Sequence, residues 1–505
     1  MTSPIRIDML SEQFPRRPLG AGRYLRGMVL TAAALPSLVF AERFDDIRAS
    51  IRRQMTDQST PSLAIAVVEN GKIVWEEAFG WADRERQIKA TVHTMYSLAS
   101  ISKPITATAL MTLVRDGKVD LDKPVNDYLG AAKVRARVGD ASAATVRRVA
   151  NHSSGLPLHY QFFYEDEPHR RPPMHETILR YANLVTAPGE RYQYSNLGFG
   201  ILDNVISRVS GQSYPDYMRR AVFLPLGLTH MSVDIGPGLE PYSAARYGPD
   251  GLPIPFYDFD HSGGSAVFAS AHDLARFAMF HLKTRLPDQK QILSDSLIDE
   301  MHKSTMKIDD RAGYGVGFAI ADQEGGHRIV SHAGGMGGVA TTMRLVPAKG
   351  FAVVVLCNTG SALPHRIADE VMQQMLSGWK PTREEPRKAP TFAPSAELVG
   401  SWTGKLHTYK GEIPITLRFL ESGDLHAQVG DQLKTLVNYV RLDNGYLTGR
   451  LMGDVKTDDV NRRPSFLVLT LKLRGRTMNG SAAALSLPAQ RAGNALSHWV
   501  DITKQ

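Results

Sequence analysis

The stretch Ile105–Val114, reading Ile-Thr-Ala-Thr-Ala-Leu-Met-Thr-Leu-Val, has no polar face. A helix whose sides are all apolar or small is buried inside a domain rather than laid on one. Just before it stand Ser100 and Lys103. A three-residue spacing puts them on one helical face, a turn apart. Ser100 then lies at the mouth of a buried helix, where unpaired backbone N–H groups and the positive dipole end collect. Such a place offers a hydroxyl nucleophile, a cation to manage its proton and donors for an oxyanion.

The Ser-x-x-Lys pattern recurs at Ser304–Lys307 and Ser377–Lys380, so context must separate the three. No apolar helix follows Ser304–Lys307, and Ser377–Lys380 abuts a proline-rich run; both read as solvated surface pairs. The 505 residues allow two or three domains, and 43% hydrophobic with 22% charged residues is ordinary globular usage. The formal charge of +8 is scattered, which argues against a nucleic-acid partner. A single cysteine, Cys357, excludes an intrachain disulfide and a cysteine-built zinc site. Its apolar surroundings, Phe351–Asn358, predict an inert thiol in a buried strand.

The N-terminus carries Arg16, Arg17, Arg23 and Arg26 ahead of the apolar run Met28–Ala41, with Val39 and Ala41 at small-residue cleavage positions. This is a secretory pattern, too short to span a bilayer as a helix. It predicts a leader over 1–41 and a periplasmic or secreted product with no stable membrane span after processing. A cytoplasmic protein is the alternative if the segment is not a signal.

Downstream, a helix is expected over Phe44–Gln54. Ser62–Glu69 and Lys72–Phe79 flank Asn70-Gly71, the pair favoured in a type I′ hairpin. Helices are predicted over Leu197–Val209, Ala271–Leu282 and Leu363–Leu376, and strands over Arg328–Ser331, Val339–Val346 and Phe351–Asn358. Tyr160–Pro173, aromatic and then charged and proline-rich, resembles a surface lid. Two strands early and three late predict an α+β domain over 42–380: an antiparallel five-stranded sheet flanked by helices, with an all-helical insert. A linker over 381–394 is proline-rich and charged. Beyond it, over 395–505, the period changes to two, as in Ser465–Leu473, which predicts a small antiparallel β-barrel.

Two further motifs join Ser100–Lys103: Tyr194-Ser195-Asn196 in a loop before a helix, and His332-Ala333-Gly334 at the end of a strand, followed by Gly335. In this order, and with His152-Ser-Ser-Gly-Leu-Pro157, Pro188-Gly189, Gly263-Gly264 and Asp273–Phe277 as framework, the set resembles the serine beta-lactamase-like hydrolases of the class C type. That group holds class C beta-lactamases, DD-carboxypeptidases, D-aminopeptidases and related esterases. The tail resembles the lipocalin-like domains appended to some of them. Tyr181-Ala-Asn183 also fits a Tyr-x-Asn pattern, but it precedes the Pro188-Gly189 turn that the family tyrosine follows.

The resemblance implies Ser100 as nucleophile, Lys103 and Tyr194 as the pair handling its proton, and Asn196 holding Lys103 and the acyl-side amide of substrate. It implies an oxyanion hole from the N–H groups of Ser100 and Gly335, and substrate contacts from His332, Ala333 and Gly334. Which of Lys103 and Tyr194 is the acylation base stays open. His332 departs from the lysine usual in the beta-lactamases; a histidine is largely neutral at pH 7. It favours a peptidase acting on D-amino-acid peptides, or an esterase, over a beta-lactamase; a non-catalytic binding protein is the rival from another class. No His-Glu-x-x-His helix and no phosphate-loop pattern exist, so neither metal nor cofactor is expected. The expected partner is a small molecule or short peptide, and the barrel either trims the pocket or builds a homo-oligomer.

Overall fold

Asn70 and Gly71 both take left-handed backbone angles, φ 49° and 75°, and so fold Ser62–Glu69 back on Lys72–Asp83. The computed structural model describes residues 43–381 and 392–505; the expected leader and most of the linker lie outside them. Ser62–Glu69 pairs on its other side with Phe351–Cys357. Both strands are buried nearly throughout, as their unbroken apolar runs require. Cys357 is buried there, and burial pushes its thiol up.

The full sheet is antiparallel but has nine strands, not five. The five expected ones are contiguous in it: His327–Met336, Val339–Val346, Phe351–Cys357, Ser62–Glu69 and Lys72–Asp83. Ile88–Lys89 extends one edge, and Met306–Lys307, Ala312–Tyr314 and Ala319–Glu324 extend the other. Three of these have two or three residues, too short to display a period, and Ala319–Glu324 turns polar after Ala321 and is buried only at Ile320, so the pattern missed them. The insert is also not all-helical. Tyr96–Ser97, Val267–Ala269 and Met231–Val233 make a small sheet that supports the turn before Ser100.

Helices Asp45–Asp57 and Leu363–Met375 pack together, the latter on the sheet, and Ala271–His281 also packs against its central strands. Ser270 caps that last helix by accepting from the Asp273 N–H. The apolar helix runs from Ser102 to Arg115, with every residue from Ser102 to Leu113 buried. Its threonines remain soluble in that core because each hydroxyl is bonded. Thr106 donates to Ser102 O and meets Tyr214, Thr108 donates to Pro104 O and meets His281, and Thr112 donates to Ala109 O and meets Tyr217.

Residues Gly400–Lys504 supply a second nine-stranded antiparallel sheet. Its end strands, Thr435–Leu436 and Asn438–Asp443, are separated by Val437 alone, so the sheet curls into a nearly closed barrel. Alternation of Leu467, Leu469 and Leu471 inward fills it, with Trp402 fully buried and its indole N–H donating to Leu398 O. Residues 45–505 form one unit. Asp459 of the barrel accepts from Tyr181 and Arg180, and Arg463 and Arg474 pair with Glu167 and Glu190. Among the described residues no helix is long and apolar enough to cross a membrane.

Candidate active site

Ser100 sits in a short 3-10 turn, Ala99–Ile101, that leads into the buried helix. Ala99 has φ 48°, a left-handed conformation that costs a residue with a Cβ about 1–2 kcal/mol. The surroundings hold it there. Leu98 N–H donates to Val267 O, and Leu98 O accepts from the Thr341 hydroxyl. Gly334 lies so close that a Cβ on it would stand 2.1 Å from Leu98 O. The close approach that calls for glycine in this strand is therefore at Gly334, and the space above Gly335 is open.

Lys103 is fully buried. Its amine donates to Asn196 Oδ1 at 2.7 Å and to Gly264 O at 3.0 Å, and lies 3.1 Å from Ser100 Oγ. The Tyr194 hydroxyl donates to the same Oγ at 2.8 Å, and Lys103 Nζ is 4.7 Å from the centre of its ring. Burial lowers the lysine well below its ordinary value and raises the phenol, against the opposing Ser100 hydrogen bond. Both shifts favour the neutral forms. A neutral amine has two protons and one lone pair. In that form Asn196 and Gly264 take the protons and the lone pair is left for the serine hydroxyl; as an ammonium the amine donates to all three.

Tyr194 and Asn196 are placed by the start of helix Asn196–Ser210, where Ser195 Oγ accepts from Gly198 N–H. His152 fixes the loop from below. Its Nδ1 accepts from Ser195 N–H at 3.2 Å, and its ring lies 4.3 Å from that of Tyr194. Burial, helped by Lys103, drives His152 far below its usual range, so the ring stays neutral and can accept. The sequence marked His152 only as framework.

His332 is placed differently from the expectation. Its Nε2 meets the Tyr314 hydroxyl at 2.8 Å, its Nδ1 meets Ala333 O at 2.7 Å, and burial with Lys103 nearby lowers it to about 3. It is a neutral, buried group behind the strand. Ala333 is exposed and Gly334 is docked on Leu98. None of these three lines the cleft, a cavity of ≈ 410 Å³. Ser100, Tyr194, Asn196 and Gly335 do, and Lys103 lies directly beneath them. Gly335 falls beyond the last pairing with Ala319–Glu324, at Ser331, so the strand's outer edge is unpaired beside the cavity.

The remaining walls were not foreseen. Leu158, Tyr160, Phe162 and Met336 face the nucleophile, together with Ala492 and Gly493 from the barrel. The segment expected to be a lid is instead built in. Phe162–Tyr164 is a buried strand paired with Tyr257–Phe259, and Tyr160 bridges to Ala495. Its aromatic density was the available signal. The decoy Tyr181 ends a helix, with its hydroxyl on Asp459. Ser304, Lys307, Ser377 and Lys380 are all exposed.

Residues 47–374 match the family model Beta-lactamase. The chain belongs to this family. Among relatives, Protein flp of Staphylococcus aureus (strain MRSA252) is 25% identical over 327 residues, 63% of each chain, so this protein spans under two thirds of that relative's length. Penicillin-binding protein 4 of Amycolatopsis lactamdurans is 29% identical over 347 residues, 64% of this chain and 85% of that one. The octameric penicillin-binding protein homologue from Pyrococcus abyssi shares the fold over 89% of this chain and 99% of its own, with a TM-score of 0.58 and 22% identity. A class C beta-lactamase does so over 69% of this chain and 99% of its own, with a TM-score of 0.58 and 20% identity.

Proposed function

We propose that this protein is a serine hydrolase that forms an acyl-enzyme on Ser100 and takes uncharged small esters or D-aminoacyl amides. As Oγ attacks the carbonyl, its proton passes to the Lys103 lone pair 3.1 Å away. The N–H groups of Ser100 and Gly335 receive the developing oxyanion. Tyr194 gives its hydroxyl proton to the leaving group and is reprotonated from Lys103. Asn196 orients the amine throughout and offers its remaining amide to the substrate.

The observation that carries this reading is a cleft whose lining includes no lysine or arginine, above a Lys103 amine that burial lowers well below its ordinary value. A substrate carboxylate, as in a beta-lactam or the end of a D-Ala-D-Ala peptide, meets no cation there; neutral His332 supplies none. Desolvating an unpaired carboxylate is costly, so substrates without a carboxylate are favoured. A panel of short-chain nitrophenyl esters, D-aminoacyl nitroanilides, a D-Ala-D-Ala peptide and a chromogenic cephalosporin tests this. Ester and D-aminoacyl turnover is expected to exceed that of the carboxylate-bearing compounds by tenfold or more in kcat/KM, and Ser100→Ala to lose roughly 10⁴-fold or more. A cephalosporin as best substrate, or ester turnover surviving in Ser100→Ala, would defeat it.

A further inference from the structure

Behind the cleft lies a charged group that the acylation chemistry does not use. Asp260 is fully buried, with one carboxylate oxygen 2.6 Å from His159 Nε2 and the other 2.8 Å from His261 Nδ1. Burial pushes the carboxyl up, but the two imidazoles overrule it and hold it well below its usual range. His261 lines the same cavity as Ser100. Its Nδ1 is spent on Asp260, which leaves Nε2 as the ring nitrogen available to the cavity. Asp260 divides its two oxygens between the histidines, and no metal-binding cluster exists among the described residues, so the arrangement is not a metal site.

Gly264 links this group to the nucleophile. A Cβ built on it would stand 3.3 Å from His261 Cδ2 and 3.6 Å from Lys103 Nζ, so ring and amine face each other across that glycine. A carboxylate fixing one imidazole nitrogen, with the other turned to a reaction cavity, is the arrangement of an oriented general base.

We propose that His261, oriented by Asp260, is the base that activates the water for deacylation. This rests on the acyl-enzyme reading above. The water oxygen bonds to the acyl carbon as one of its protons passes to His261 Nε2. The bond from that carbon to Ser100 Oγ then breaks, and Oγ takes the Tyr194 hydroxyl proton. His261 returns its proton to the phenolate, which leaves free acid and every group as it began. Asp260 favours the transient imidazolium; His159, on its far oxygen, keeps the carboxylate fixed. The groups facing His261 are Asp260, His159 and Lys103, with Asp203 acting at longer range through Asp260. Burial lowers His261 from its ordinary value against the pull of Asp260, which keeps it in the base form at neutral pH.

The test is pre-steady-state hydrolysis of a nitrophenyl ester by the full chain. In His261→Gln the burst should persist while the steady-state rate falls about 100-fold, with the acyl adduct accumulating on Ser100 by mass. Asp260→Asn, which preserves shape, should show the same pattern more weakly, about tenfold, should the first variant not fold. In the wild type, deacylation should fall on the acid side with an apparent pKa below 6.5, a limb that acylation does not share. Equal losses of burst and steady state, unchanged rates, or absence of that limb would overturn the assignment to His261. No adduct on the wild type under any condition would instead defeat the acyl-enzyme reading itself.

Discussion

The floor and the roof of the cleft are held by different forces. The floor sets the half-buried Ser100 and Tyr194 on the buried Lys103 and Asn196 and is tied by short hydrogen bonds beside a close-packed core. The roof is brought by the barrel. Ala492 and Gly493 are kept in place by Phe162 N–H donating to Asn494 Oδ1, by the Tyr164 hydroxyl on Ala492 O, and by half-exposed ion pairs of Arg491 with Asp166 and Glu167. Buried, satisfied polar groups give precision, because leaving any of them unpaired is costly. Partly solvated ion pairs give little energy and can shift. The proposed nucleophile is thus placed among closely bonded groups, and the wall that would select substrate among weaker ties.

The floor can be broken most severely at Lys103. Lys103→Met should lower kcat for the best ester about 10³-fold while leaving the protein folded. Its stability profile should differ as well. The folded value of Lys103 lies below the unfolded 10.5, so over that interval the unfolded chain binds the extra proton and the wild type gains stability as pH rises towards 10.5. The gain is up to about 1.4 kcal/mol per pH unit and should be absent from Lys103→Met. Denaturant melts between pH 7 and 10 would reveal it, and parallel profiles for the two proteins would mean the amine is charged in the native site.

Smaller effects belong to the roof. Ala492→Phe should raise KM for a bulky acyl ester about tenfold while sparing an acetyl ester and the burst amplitude. Equal losses on both esters would show that the wall does not select. Smallest of all, Asp166→Asn loosens Arg491 and should cost no more than about 1 kcal/mol in melts. The wild type should meanwhile lose about twofold in KM for the bulky ester on going to high salt, a drift the variant shares less. A larger stability loss would place the roof among the rigid parts.

The motifs at Ser100, Lys103, Tyr194 and Asn196 were legible because helix and turn chemistry is local. An apolar run, a Pro-Gly turn and a capping serine each act within a few residues, and they fix which face and which loop a side chain occupies. The same holds for the five long strands and the Asn70-Gly71 hairpin, whose period and turn residues are written along the chain. Tertiary structure alone decided the rest. His332 turned away to Tyr314, the supposed lid was locked as a strand, and residues some 330 positions apart closed the cleft, as Phe162 and Asn494 do. Asp260 became a buried anion between His159 and His261 by the same route. Such pairings depend on which surfaces meet when the core closes and on which polar atoms burial then obliges to find partners, and neither is encoded by spacing in sequence.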